Sequence, residues 1–350
     1  MNDRKKERVN LVRKLFPEGI PRLWCPLLTH YRDDMTIDFE RMEAHFAHIS
    51  PWVKGFLMPG STGDGWELTE RETLQVAKFA VDHTKNMTDV RLLIGLLRPD
   101  GAGVKGTLAA MKDRNVFHLR ADEGAGQVIS PQRICGITIC PPRGKTLSQV
   151  KIDSELSGIL DMKLPTALYQ LPQVTENEAA PETFSRLTEK YANLIFFKDS
   201  SGDDGIATSS VDKGGVFLVR GAEGDYARWL KEAGGPYDGF LLSTANSFPR
   251  ELRSVIENLE RGDLKAAEET STRLSAVIGK IFAIVQPLTH GNAFTNANKA
   301  IDHFLAHGPD GANLSGPLLH AGVRISLEML AATGKVLDDQ AFMPERGYLE

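Results

Sequence analysis

The sequence predicts a closed (β/α)8 barrel, a TIM barrel of the α/β class, followed by a helical C-terminal extension. Short apolar runs with strand composition alternate with segments of helical periodicity, which favours a parallel sheet with helices outside it. Eight such units follow one another, and that number favours closure into a barrel over an open doubly wound sheet.

The units are read in order along the chain. "RLWCPLLTHY" is a strand and "DFERMEAHFAHISP" a helix. "VKGFLMPGSTGDG" is a strand ending in a glycine-rich loop, and the next helix opens on a capping box formed by Thr69 and Glu72. "VRLLIGLL", "ICGITICPP", "PTALYQLP", "LIFFKD", "VFLVRG" and "YDGFLLS" supply the other strands, each followed by a segment assigned to a helix. The expected division is a charged N-terminal segment over 1–19, the barrel over 20–263 and the helical extension over 264–350. Residues 116–133, "VFHLRADEGAGQVISPQR", fit neither a helix nor a strand; because they precede a strand, they are expected on the amino-terminal face of the barrel.

Bulk properties exclude several classes. Of the 350 residues, 41% are hydrophobic and 25% charged, as in an ordinary globular protein rather than a disordered or fibrous one. A formal charge of −5 argues against nucleic acid as the main partner. No apolar run approaches the roughly 20 residues that span a bilayer. The charged start lacks the apolar core of a secretory signal, and Asp3 and Glu7 weaken a transit-peptide reading, so a soluble cytoplasmic protein is expected. Cys25, Cys135 and Cys140 have neither disulfide nor zinc spacing and are expected as buried, reduced thiols. Cys135 and Cys140, five apart on a probable strand, are expected on opposite sides of it.

Barrel enzymes place their chemistry at the carboxyl ends of the strands. Lys198 ends the apolar run "LIFF", and a lysine in apolar surroundings loses hydration of its ammonium, which lowers its pKa and supplies the neutral amine of Schiff-base chemistry. The plainer alternative is an ordinary lysine reaching solvent at a strand end. Tyr169 ends the preceding barrel strand, where a phenol can carry a proton or merely pack. Ser61 and Thr62 lie in a glycine-flanked turn, where hydroxyls and amides can hold a carboxylate, or simply turn the chain.

The motifs GSTGD at Gly60 to Asp64, LYQLP at Leu168 to Pro172, FFKDSSGD at Phe196 to Asp203 and LLSTAN at Leu241 to Asn246 occur in one order. In that order the chain, over roughly residues 20 to 310, resembles the dihydrodipicolinate synthase/N-acetylneuraminate lyase family. The resemblance implies a (β/α)8 barrel that forms a lysine Schiff base with pyruvate or another 2-oxo acid and assembles as a homo-oligomer, dimer or tetramer. It implies Lys198 as the Schiff-base lysine, Tyr169 as the proton shuttle and Ser61 with Thr62 as the carboxylate contacts. Gly221 and Leu241 fall where the family lines the keto-acid site with backbone. An aldehyde is the implied second substrate, and no cofactor or metal is implied.

Departures from the family pattern bear on that second substrate. Where the synthase branch has an arginine for the second substrate's carboxylate, Val174 stands here. Where many members have an aromatic pair after the fourth strand, one tyrosine of which completes a relay across a subunit interface, this chain has Pro142 and Arg143. A guanidinium stays charged and cannot shuttle protons near neutral pH, but it can bind an acidic group on a second substrate or at an interface. Asp64 replaces a common glutamate.

The sequence-level expectation is a lyase or aldolase joining or cleaving a 2-oxo acid and an aldehyde. Its alternatives are a synthase with altered second-substrate contacts, a sugar-acid dehydratase or aldolase on the same barrel, and a non-catalytic keto-acid-binding relative. "GAGVKG", at Gly101 to Gly106, formally matches a dinucleotide fingerprint but lacks the following strand and acidic residue. His303 with His307 and His45 with His48 have helical spacing for metal ligands but read as ordinary helix faces. The "KKER" and "RVNLVRK" charges read as a solvated helix face.

Overall fold

The computed structural model describes residues 3–122, 126–131 and 133–350. Eight parallel strands close into a barrel: β1 (Leu23–Cys25), β2 (Gly55–Met58), β3 (Arg91–Gly95), β6 (Ile134–Ile139), β7 (Thr166–Gln170), β8 (Leu194–Asp199), β9 (Phe217–Arg220) and β10 (Gly239–Leu241), with β10 pairing back onto β1. Between β3 and β6 the chain makes an antiparallel hairpin, β4 (His118–Asp122) and β5 (Gly126–Ser130). This corrects the expectation that residues 116–133 form no strand. Their apolar residues alternate too sparsely to announce a strand, and it is the cross-strand ladder that satisfies the backbone.

The helices are α1 (Asp3–Leu15), α2 (Phe39–Ile49), α3 (Glu70–His83), α4 (Gly101–Asp113), α5 (Gln149–Leu160), α6 (Pro172–Thr175), α7 (Pro181–Lys190), α8 (Gly205–Thr208), α9 (Pro249–Glu260), α10 (Leu264–Val285), α11 (Ala293–His307) and α12 (Leu327–Asp339). The start of α3 is the capping box read from sequence: the Thr69 hydroxyl accepts from the Glu72 amide, and the Glu72 carboxylate accepts from the Thr69 amide. The seventh unit departs from the expected pattern. Two 3₁₀ turns, Tyr226–Trp229 and Lys231–Ala233, replace the helix between β9 and β10, because left-handed backbone at Asp225 and at Gly234 bounds each run before an α-helix can propagate.

Strand alternation sends one set of side chains outward to the helices and the other into the barrel. Trp24, Leu57, Leu93, Cys135, Ala167, Phe196, Val219 and Leu241, one from each strand, pack together inside with Leu11, Leu15 and Phe16 from the N-terminal segment. Gly55 makes room for Trp24, since a Cβ there would enter the indole ring. The register of β3 with β6 skips at Cys135, a bulge that turns this thiol inward. Cys135 and Cys140 therefore join two clusters stacked along the barrel instead of facing opposite sides. All three cysteines are buried and free.

The N-terminal charges also need a correction. Helix α1 is solvated along much of its length, but Arg8 is buried and donates to the carbonyls of Leu194 (2.7 Å), Thr188 (2.6 Å), Tyr191 (2.7 Å) and Gly214. Helix α1 thus plugs the amino-terminal end of the barrel. The segment after α9 folds as the helices α10, α11 and α12, and among the described residues no helix is long and apolar enough to cross a membrane.

Candidate active site

Strands β7 and β8 set the centre of the site. Their register pairs Tyr169 with Lys198, and alternation turns both side chains inward, above the layer containing Ala167 and Phe196. Lys198 is 3% exposed, and its Nζ stands 4.0 Å from the centroid of the Tyr169 ring. Among the described residues no hydrogen bond or ion pair holds this ammonium position. Burial lowers the Lys198 pKa to about 7, only partly opposed by neighbouring acidic groups, of which Glu223 is the carboxylate. A large fraction of the lysine is therefore the neutral, nucleophilic amine at neutral pH. Burial likewise pushes the Tyr169 phenol up, keeping it a proton donor.

The Ser61 and Ser200 hydroxyls flank the Tyr169 phenol. Ser61 Oγ is nonetheless buried without a partner in hydrogen-bond geometry, so it stands near the phenol rather than bound to it. The turn carrying Ser61 and Thr62 satisfies the amides of Gly63, Asp64 and Gly65 on its own carbonyls, whereas the amides of Ser61 and Thr62 take no backbone acceptor among the described residues. One orphan hydroxyl beside two unengaged amides is a donor set suited to a carboxylate.

Gly221 ends β9 directly against the lysine. A Cβ on it would lie 2.7 Å from Lys198 Cε and would overlap Ser200 Oγ, so this position needs glycine for close approach. Leu241 is a buried member of the apolar layer with Trp24, and its side chain packs there rather than beside Tyr169. Arg143, past the end of β6, is exposed and lies 3.9 Å from Glu176. The structure thus gathers Lys198, Tyr169, Ser61 and Gly221, places Thr62 in the adjoining turn, and leaves Leu241 below and Arg143 at the rim.

Glu223 and Ser200 are site residues that were not singled out from sequence. Glu223 accepts from Ser243 (2.5 Å), from the Thr244 amide (3.1 Å) and hydroxyl (2.7 Å) and from Tyr226 (2.9 Å), making a fixed carboxylate whose field reaches Lys198. Its position just past the end of β9 was the available signal. Val174 joins Trp66, Leu97, Cys140 and Leu171 in an apolar wall around Tyr169. His45, one of the histidines noted at helical spacing, meets His30 and Asp302 in a buried cluster with metal-ligating atoms within 4.8 Å of one another. Asp302 accepts from the Arg41 guanidinium at 2.6 Å and from the Tyr348 hydroxyl at 2.8 Å, so that carboxylate is neutralised by a guanidinium within a hydrogen-bond network. His303 instead bonds the Gly311 carbonyl at 2.8 Å.

A closed parallel barrel with a buried, uncompensated lysine at the carboxyl end of its β8 strand defines a class of amine-bearing barrel proteins. Residues 133–295 match the model of the Dihydrodipicolinate synthetase family. The 4-hydroxy-tetrahydrodipicolinate synthase of Methanospirillum hungatei is 22% identical over 275 residues, covering 77% of this chain and 86% of that one. The synthase of Sorangium cellulosum is 25% identical over 257 residues, covering 73% and 78% respectively. Among solved structures, YagE, a prophage protein of the dihydrodipicolinic acid synthase family from E. coli K12 in complex with pyruvate, shares the fold with a TM-score of 0.72 at 17% identity, over 92% of this chain and 99% of that one. Over residues 133–295 the chain thus carries the pattern of the dihydrodipicolinate synthetase family, and over most of its length it is similar in sequence and in fold to dihydrodipicolinate synthases.

Proposed function

We propose that this enzyme is a Schiff-base lyase or aldolase acting on pyruvate or a closely related 2-oxo acid, with Lys198 as nucleophile and Tyr169 as proton carrier. The observation that carries the proposal is the lysine itself: inward, 3% exposed, its pKa lowered to about 7 and its amine 4.0 Å from the tyrosine ring. The pyruvate complex of YagE supports the choice of 2-oxo acid.

In this mechanism the turn at Ser61 and Thr62 receives the substrate carboxylate and the neutral Lys198 amine attacks the 2-keto carbon. Tyr169 gives a proton to the departing hydroxyl as the carbinolamine loses water, leaving an iminium. Loss of a C3 proton makes the enamine, whose carbon adds to the carbonyl of an aldehyde; water then releases the product and restores the lysine. Cleavage is the same sequence reversed. Glu223 places negative charge toward the nitrogen that becomes cationic, and Ser200 offers Tyr169 a hydroxyl neighbour for proton exchange.

The apolar wall of Val174, Trp66, Leu97 and Leu171 supplies no cation beside Tyr169, which favours an aldehyde without a carboxylate at that place over the synthase reaction. Arg143 at the rim takes an acidic group of the second substrate, if that substrate carries one farther out. Domain limits follow the same reading, with the barrel over 20–263 and the extension over 264–350. The test is borohydride reduction in the presence of pyruvate, followed by intact mass and peptide mapping: the expected result is one reduced adduct on Lys198 that is absent from Lys198→Ala. No adduct with pyruvate or with longer 2-oxo acids would overturn the proposal. Product analysis separates lyase from dehydratase, since a lyase yields pyruvate plus aldehyde and a dehydratase a deoxy-oxo acid.

A further inference from the structure

We propose that the buried ion pair between Asp64 and Lys299 is a positioning device through which helix α11 of the C-terminal extension shapes the carboxylate-binding turn, making Lys299 and Thr295 determinants of 2-oxo acid affinity. This rests on the function proposed above, in which Ser61 and Thr62 receive the carboxylate.

Asp64 and Lys299 come from opposite ends of the chain, and their side chains are 2% and 0% exposed. Lys299 Nζ donates to Asp64 Oδ2 at 3.0 Å and to the Leu318 carbonyl at 3.1 Å, and lies 4.5 Å from the centroid of the Tyr31 ring. The Tyr31 hydroxyl donates to the same carboxylate oxygen at 2.9 Å. Asp64 itself is held in left-handed backbone, with φ of 58°, at the point where the turn reverses.

The same helix grips the rest of the turn. The N-cap Asn292 donates to the Ser61 carbonyl at 3.3 Å, and Thr295 Oγ1 donates to the Thr62 carbonyl at 3.0 Å and the Ser61 carbonyl at 3.4 Å. Asn292, Thr295 and Lys299 recur at helical spacing, so one face of α11 contacts Ser61, Thr62 and Asp64 in turn. In a planar trans peptide the N–H points opposite to the C=O. Drawing the Ser61 carbonyl toward α11 therefore aims the Thr62 amide away from the helix, and that amide is one of the two without a backbone acceptor.

A fully buried ion pair is costly to desolvate, so holding this turn in register gives it a purpose that general stabilisation does not. Without Lys299 the carboxylate of Asp64 is left buried and unpaired, and the turn relaxes. Attack by Lys198 on the keto carbon, by contrast, involves nothing that Lys299 touches.

The experiment compares two probes in the borohydride trap: pyruvate, which carries the carboxylate, and methyl pyruvate, which carries the same keto group without the charge. Lys299→Met is expected to raise the half-saturating pyruvate concentration about tenfold or more, while methyl pyruvate changes less than about threefold. Thr295→Val, which keeps the ion pair and removes only the donor to Thr62 and Ser61, is expected to give the same split at about threefold, and it serves as the deciding variant if Lys299→Met does not fold. Half-saturation unchanged for pyruvate, or an equal loss with both probes in a folded variant, overturns the positioning role. A wild-type chain that traps neither probe overturns the Schiff-base reading instead, so the two failures are distinguishable.

Discussion

At the amino-terminal end of the barrel, Trp24 lies against Gly55, and beside it Arg8 is buried with its guanidinium on the carbonyls of Thr188, Tyr191, Leu194 and Gly214. At the carboxyl-terminal end, Lys198 lies against Gly221, and among the described residues nothing bonds its ammonium. Burial acts on both cations. It lowers the Arg8 pKa to about 10, which leaves the guanidinium charged at neutral pH, and the Lys198 pKa to about 7, which does not leave the ammonium fully charged. The comparison separates two fates of a buried cation: supplied with acceptors it fastens chain segments together and keeps its charge, and left without them it gives up its proton near neutral pH.

The largest effect is expected from Lys198→Met, which should abolish the pyruvate adduct and yet stabilise the fold by about 3 kcal/mol at pH 7. The sign follows from a folded pKa near 7 against an ordinary value of 10.5: between them the unfolded chain holds the proton that the folded one lacks. The wild-type penalty is therefore complete below pH 7 and fades as the pH approaches 10.5. Denaturant unfolding at pH 7 and pH 10 checks it, and a variant less stable than wild type at pH 7 would break the comparison.

Arg8→Met is expected to do the reverse, lowering stability by about 3 kcal/mol through its orphaned carbonyls while leaving adduct formation per folded molecule unchanged. Slower trapping in the folded variant would mean that the two ends are coupled. Gly221→Ala should act from the other side, slowing imine formation about a hundredfold by displacing Lys198, with a stability loss of about 1–3 kcal/mol from the overlap with Ser200. Its measurement is the single-turnover trapping rate at saturating pyruvate. The smallest effect is in pH: the trapping rate should fall about tenfold per unit below pH 7 and level off above it, because only the neutral amine attacks. A midpoint near the ordinary lysine value would remove burial as the cause.

Legibility in the sequence followed the locality of the cause. The capping box at Thr69 and Glu72 and the strand ending in Lys198 are set by residues a few positions apart, and they could be read directly. Tyr169 and Lys198 were recoverable as neighbours because successive parallel strands bring their carboxyl ends together. The hairpin at His118–Asp122 and Gly126–Ser130 was not, since its pairing and not its composition makes it a strand. Cys135 was misplaced because one bulge shifts the alternation without any mark in the residues. Glu223 escaped notice because its importance lies in the donors that hold it, three of them on the later segment at Ser243 and Thr244.

By itself the sequence determined the succession of strands and helices, the closure into a barrel and the identity of the amine, phenol and hydroxyls at the strand ends, because periodicity and turn chemistry act over a few residues. The tertiary structure decided which cations are buried, what each one meets and so what each one does. Arg8 finds its carbonyl on Gly214 across 206 residues and Lys299 its carboxylate on Asp64 across 235, while Lys198 finds the face of the Tyr169 ring and, among the described residues, no hydrogen-bond or ion-pair partner. Desolvation and pairing are properties of the folded surroundings, and chain segments far apart in sequence supply them.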